Sequence, residues 1–89
     1  MFRASSATAG RPGCSGLDRY VGGRIRERRV MLGLTQRQMA GLSGLSEDRV
    51  SRYEGGGAQM SASRLERIAR VLRVDVNYFF EGWPARAMR

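Results

Sequence analysis

The feature that most constrains this chain is the close spacing of helix-ending and helix-starting residues between positions 33 and 61. Glycines are followed within six positions by residues that favour a helix N-terminus: Gly33 by Thr35, Gly44 by Ser46, and the glycines at 55–57 by Ser61. Glycine tolerates the left-handed conformation that ends helices, and a Ser or Thr side chain caps the first turn of the next one. The sequence therefore predicts short helices joined by tight turns, and it contains no strand pattern of useful length.

The first predicted helix begins at the N-cap residue Asp18 and runs to Leu32. Two glycines, Gly22 and Gly23, weaken its first turn. The residues expected on its inward face are Val21, Ile25, Arg29 and Leu32. Gly33 then takes the C-cap position.

The second and third predicted helices are short and meet at a turn that contains Gly44. Thr35 and Gln38 have the spacing of a capping box, which opens the second helix. The apolar residues expected to face the core are Met39, Ala40 and Leu42 in the second helix and Val50 and Tyr53 in the third. The small Ala40 allows a close crossing, Gly44 permits the turn and Val50 anchors the third helix. Two short helices in this arrangement have the shape that enters the major groove of DNA.

Two more predicted helices complete an all-α fold of five short helices over about residues 18–81. Ser61 caps the fourth, and Asp75 caps the fifth. The inward residues of the fourth helix, at i, i+3, i+4 and i+7, are Leu65, Ile68, Ala69 and Leu72. Its arginines at 64, 67, 70 and 73 are expected on a solvated face. The predicted domain spans residues 17–82, between a disordered leader at 1–16 and a short tail at 83–89. The acid-free leader is also faintly similar to a transit peptide.

Composition excludes several classes of function. The chain has no histidine and one cysteine, Cys14, so it cannot form an imidazole or cysteine-cluster metal site, a histidine-activated nucleophile or an intramolecular disulfide. The glycines at 55–57 lack the lysine and the preceding strand of a phosphate-binding loop. No apolar run approaches the roughly 18 residues that cross a bilayer. The sequence predicts a soluble, cytoplasmic protein that is not an enzyme, binds no cofactor and has no membrane partner.

The charge balance favours a polyanionic partner. Sixteen basic residues, all arginine, stand against eight acidic ones, which gives a formal net charge of +8. A chain this basic attracts nucleic acid first and an anionic membrane surface second. The arginine guanidinium also matches phosphate and guanine through two parallel hydrogen bonds.

These motifs together resemble a known family. The segments that carry the resemblance are GRIR at 23–26, RR at 28–29, GLTQ at 33–36, Ala40, GLS at 44–46, VSRYE at 50–54, Gly56, Ser61, LERIA at 65–69 and VDVNYFF at 74–80. Over about residues 20–82 the chain resembles the Xre/Cro-like helix-turn-helix family of phage repressors and bacterial regulators, in a branch common among proteobacteria. The resemblance implies a lambda-repressor-like DNA-binding domain and a sequence-specific, double-stranded-DNA-binding transcriptional regulator, expected to be a repressor.

The resemblance also implies roles for individual residues. The expected DNA-binding residues are Gln36, Arg37, Ser46, Glu47, Asp48, Arg49, Ser51, Arg52 and Gln59. Gln36 matches a phosphate contact, Arg52 a base or phosphate contact, and Arg29 with Glu54 a buried ion pair. Glu47, Asp48 and Ser51 match positions near base edges. Many relatives carry neutral residues where this chain has Glu47 and Asp48. These two carboxylates either accept hydrogen bonds from cytosine or only complement the helix dipole, and they add repulsion to phosphate.

We expect the chain to bind DNA as a homodimer. The dimer would place two reading helices about 34 Å apart on a palindromic site. Its expected contact surface is the C-terminal helix and the residues beyond it: Val76, Phe79, Phe80 and Trp83. The alternative is an antitoxin or modulator whose main partner is another protein, docked on the aromatic C-terminal end. The acidic pair at 47–48 favours that alternative slightly.

Overall fold

The computed structural model describes residues 16–83, which form four α-helices and one 3-10 helix. The helices are α1 (Gly16–Met31), α2 (Gln36–Ser43), α3 (Glu47–Gly55), α4 (Ala62–Leu72) and the 3-10 helix Val76–Phe80. No strand occurs within this described part, so the all-α prediction is confirmed, although the fifth helix is 3-10 rather than α. Apart from Gly16 and Trp83, the predicted leader, with Cys14, and the predicted tail lie outside the described residues.

Helix α1 starts earlier and ends sooner than the sequence predicts. Asp18 lies in its first turn and is not its N-cap, because the described helix already begins at Gly16. The predicted inward residues that are buried are Val21, Ile25 and Arg29. Leu32 is not one of them: the helix ends at Met31, Gly33 turns the chain with φ +74°, and Leu32 is 38% exposed.

Side-chain caps fix the ends of the next helices as predicted. The Thr35 hydroxyl accepts a hydrogen bond from the Gln38 amide at 3.0 Å, and the Gln38 side chain accepts one from the Thr35 amide at 2.8 Å. Ser46 accepts from the Arg49 amide at 3.1 Å and so caps α3. These contacts satisfy amides that have no partner inside the helix.

Glycines in the left-handed conformation end α2 and α3. Gly44 has φ +76° and Gly56 also has φ +76°, where a side chain would be strained. The apolar face of α2 differs from the prediction at Leu42, which is 63% exposed. The buried residues of α2 are Met39, Ala40 and Ser43, and Leu42 lies about 100° away from their mean direction around the helix.

The core is formed where all the described elements meet. Its side chains with no exposed surface are Ile25, Met39, Val50, Ile68, Leu72 and Phe79, with Tyr53 only 1% exposed. Burial of a single side chain of this size stabilises the fold by about 1.5–3 kcal/mol. Among residues 16–83, no helix combines the length and the apolar character needed to cross a bilayer.

The backbones of α1 and α3 touch at Gly22. A Cβ atom at this position would lie 2.1 Å from the Tyr53 carbonyl oxygen and 2.8 Å from that of Glu54. The two helices pack this closely only because glycine has no side chain, a role that the sequence analysis missed. The crossing fixes the position of α3 relative to the rest of the fold.

Two arginines of α1 connect it to the C-terminal half of the domain. Arg24 is 9% exposed, lies over the Tyr78 ring at 4.0 Å from its centroid, and donates to the Tyr78 carbonyl. Glu27 and Glu81 balance its charge at 3.1 and 3.4 Å. The Nε of Arg28 donates to the carbonyl of Leu72, the last residue of α4, at 2.9 Å. A cation at this end of α4 also suits the helix dipole.

Candidate nucleic-acid interface

Helix α3 has one face in the core and one face open to solvent. On the inner side Val50, Tyr53 and Glu54 are buried, while the caps Ser46 and Gly56 fix the two ends. The exposed residues of the helix that the sequence predicted to contact DNA are Glu47, Asp48, Arg49, Ser51 and Arg52. The structure therefore brings five predicted DNA-binding residues together on a single anchored helix.

The ion pair predicted between Arg29 and Glu54 is present. Nε of Arg29 lies 2.6 Å from Oε2 of Glu54, and Nη2 donates to Oε1 at 3.0 Å. The two side chains are 10% and 3% exposed. A third donor of the guanidinium, Nη1, binds the Leu34 carbonyl at 2.7 Å. Because the pair spans α1, the following loop and α3, it holds the outward helix against the rest of the domain.

Gln36 takes part in the same network. Its Nε2 donates to Oε1 of Glu54 at 3.0 Å, so the side chain is half-buried against the ion pair. A primary amide has two N–H groups, which leaves one for another acceptor. Gln36 is the first residue of α2, where backbone amides favour an anion, and Arg37 beside it is exposed. The prediction of a phosphate contact is compatible with this geometry.

An ion pair that was not predicted from the sequence lies within the outward face of α3. Nε of Arg52 lies 3.2 Å from Oδ2 of Asp48, one helical turn earlier. Their side chains are 65% and 76% exposed. The i, i+4 spacing of an acid and an arginine is the signal that predicts such a contact. Glu47, at the start of the helix, is exposed and has no basic partner among the described residues.

The turn between α2 and α3 is supported by an arginine of α4. Nη1 of Arg67 donates to the carbonyl of Ser43 at 3.4 Å, next to Gly44. Arg64 likewise donates to the Tyr53 hydroxyl at 3.1 Å. The predicted solvated face is confirmed for Arg67, Arg70 and Arg73, which are exposed, and is wrong for Arg64, which is half-buried. Both Arg64 and Arg67 nevertheless reach a polar atom of the helix-turn-helix.

One predicted DNA-binding residue, Gln59, lies outside α3. Gln59 is exposed in the loop between α3 and α4 and is not part of the outward face of α3.

The predicted dimer surface lies at the C-terminal end of the domain. Phe79 is wholly buried in the core, so the prediction that it contacts a second copy is wrong. Phe80 and Trp83 are 37% and 36% exposed, and the Trp83 ring lies 5.5 Å from that of Tyr20. Val76 is half-buried.

Comparisons with known proteins agree with this geometry. The model of a family described as a helix-turn-helix domain matches residues 21–77. An uncharacterized HTH-type transcriptional regulator from Sinorhizobium medicae is 41% identical over 68 residues, which cover 76% of this chain and 49% of the relative. The chain thus spans about half the length of that curated relative.

Solved structures show the same fold. The restriction-modification controller protein C.AhdI from Aeromonas hydrophila is 32% identical with a TM-score of 0.68, covering 70% of this chain and 94% of that one. The clp gene regulator ClgR from C. glutamicum is 27% identical with a TM-score of 0.74, covering 82% of this chain and 92% of that one. By name, the first is a controller protein and the second a gene regulator.

Proposed function

The chain belongs to the helix-turn-helix domain family, and from that membership we propose that it binds double-stranded DNA in a sequence-specific manner and regulates transcription, as a repressor. The observation that carries the proposal is the outward face of α3, which is polar and exposed on a helix whose other side is buried. We place the DNA-binding domain at residues 17–82, which include the matched residues 21–77.

In the proposed complex α3 lies in the major groove. The N-terminal residues of such a helix contact base edges, so Ser46, Glu47 and Ser51 are placed near the bases. The Arg52 guanidinium is suited to the O6 and N7 acceptors of guanine. Gln36 and Arg37 at the start of α2, with Arg49 and Gln59, are assigned to the flanking phosphates. The +8 charge adds attraction that does not depend on sequence.

We further propose that two copies bind together. A two-fold dimer presents two α3 helices to successive major grooves about 34 Å apart, which matches a palindromic site. The exposed aromatic residues Phe80 and Trp83, with Val76, are the proposed contact, without Phe79. A dimer of this kind supports affinity through the simultaneous binding of two half-sites.

The role as a DNA-binding regulator also bears on the remaining predictions. A regulator of transcription works where the DNA is, which supports the cytoplasm as the location in a bacterial cell. The name of the curated relative describes a regulator, which supports a non-enzymatic function for this chain as well. The alternative of a main protein partner loses part of its support, since Asp48 of the acidic pair is matched by Arg52.

Selection of bound sites from a pool of random duplexes tests the proposed function. We expect recovery of an inverted repeat, and we expect the logarithm of the binding constant for that site to fall linearly with the logarithm of salt concentration. The slope estimates the number of phosphates contacted. A protein that enriches no sequence and binds no duplex at low ionic strength contradicts the proposal.

A further inference from the structure

We infer that Asp48 is a positioning residue for Arg52, holding its guanidinium so that the two terminal nitrogens, Nη1 and Nη2, meet a guanine in the bound site. The inference rests on the proposed DNA-binding function and deepens it. It assigns guanine to one position of the recognised sequence, and it gives Asp48 a role other than direct contact with cytosine.

Asp48 and Arg52 both lie on the outward side of α3. Successive residues of an α-helix are about 100° apart, and the mean direction of the buried Val50, Tyr53 and Glu54 defines the inward side. Asp48 and Arg52 both lie within about 30° of the opposite direction, at the centre of the outward face. The pair is therefore accessible to a ligand that approaches α3 along its exposed side.

The ion pair with Asp48 uses one particular nitrogen of the Arg52 guanidinium. The ion pair joins Oδ2 of Asp48 to Nε of Arg52, at 3.2 Å. Within residues 16–83, Nη1 and Nη2 of Arg52 form no hydrogen bond. These two nitrogens form the end of the guanidinium plane and match the spacing of guanine O6 and N7. The contact therefore leaves free the edge of Arg52 that reads guanine.

The Asp48–Arg52 pair affects the ordering of Arg52 more than the stability of the fold. Both side chains are more than half exposed, at 65% and 76%, and an ion pair in solvent contributes little to folding. The contact instead restricts a long side chain that otherwise has to be ordered when DNA binds. It also neutralises the Asp48 carboxylate at the centre of the face, where an unpaired negative charge repels phosphate.

The test compares base preference among variants of the full chain, with duplexes that carry guanine or adenine at the selected position. Asp48→Ala is expected to lower the preference for guanine about 2- to 10-fold, the effect of releasing one ordered side chain. Asp48→Glu retains the i, i+4 pairing and is expected to restore most of the preference. Glu66→Ala, an exposed acid of α4, is the control for the loss of one negative charge.

A double-variant comparison separates positioning from direct reading. In an Arg52→Lys background, which keeps the charge and loses the planar guanidinium, Asp48→Ala is expected to leave the guanine preference unchanged. Asp48→Leu, which has no hydrogen-bond acceptor, serves as a second variant if the alanine variant does not fold, as measured by circular dichroism. The inference is overturned if Asp48→Ala or Asp48→Leu folds and matches the wild type, or if it shifts base preference equally in both backgrounds. A wild-type protein that binds no duplex instead overturns the proposed function itself.

Discussion

Arg29 and Arg52 show how burial decides what an arginine does in this molecule. The Arg29 side chain is 10% exposed and forms two contacts with one buried carboxylate, whereas that of Arg52 is 65% exposed and meets a carboxylate that is itself in solvent. The first pair is shielded from solvent, so removal of one partner leaves the other as a buried charge without a counter-ion. In the second pair, the exposed Arg52 guanidinium remains accessible to the edge of a base pair.

Removal of the buried carboxylate tests this contrast. Glu54→Ala leaves the Arg29 cation buried without its counter-ion, and we expect a loss of about 3–5 kcal/mol in the free energy of unfolding. Arg52→Ala, which breaks the exposed pair, is expected to cost less than about 1 kcal/mol. Urea denaturation followed by circular dichroism measures both. Equal losses in the two variants would show that the Arg29–Glu54 pair is not buried in solution.

At the scale of the helices, local signals predicted the starts of α2 and α3, but they did not predict the bounds of α1 or its close packing against α3. The caps at Thr35 and Ser46 are formed by residues three positions apart, so the sequence alone specifies them. Gly22, by contrast, depends on the backbone of α3 that lies beside it. The same limit applies to the Asp48–Arg52 contact, whose spacing allowed the pair but whose exposure only the fold reveals.

Gly22 provides the prediction at this scale. Gly22→Ala forces a Cβ against the Tyr53 carbonyl, where 2.1 Å of separation is available, and α1 must move away from α3. We expect a loss of about 1–3 kcal/mol in the free energy of unfolding. The neighbouring Gly23 has nothing within 4 Å of an added Cβ, so Gly23→Ala should stabilise the helix by about 0.5–1 kcal/mol. Thermal unfolding of the two variants measures whether Gly22→Ala is less stable, and Gly23→Ala more stable, than the wild type. A Gly22→Ala protein as stable as the wild type would refute the close crossing.

For the whole molecule, the fold class and most of α3 followed from the sequence, but the surface around the C-terminal aromatics did not. Phe79 and Phe80 are adjacent and equally apolar, yet the first fills the core and the second is 37% exposed. A 3-10 helix turns about 120° per residue, so neighbouring side chains point in different directions. The sequence pattern does not say which of the two packs inward, and the proposed dimer contact depends on that distinction.

The dimer proposal is tested by sedimentation. We expect the wild-type chain to associate at micromolar concentration and the double variant Phe80→Ala, Trp83→Ala to shift towards the monomer, because it loses the exposed aromatic area of the contact. Leu42→Ala removes an apolar side chain that is 63% exposed elsewhere, and it should sediment as the wild type does. If the aromatic variant associates as strongly as the wild type, the contact lies on another surface.

The most direct test of the central claim, that the outward face of α3 binds DNA, compares two arginines on the selected duplex. Arg52 lies at the centre of that face, while Arg70 is exposed on α4, and alanine removes one positive charge from each. We expect Arg52→Ala to weaken binding about 5- to 100-fold, measured by fluorescence anisotropy at fixed salt, as the loss of a bidentate base contact requires. Arg70→Ala should change the affinity by no more than about twofold, since a distant charge is screened. Equal losses of affinity in the two variants would contradict the assignment of α3 as the DNA-binding helix.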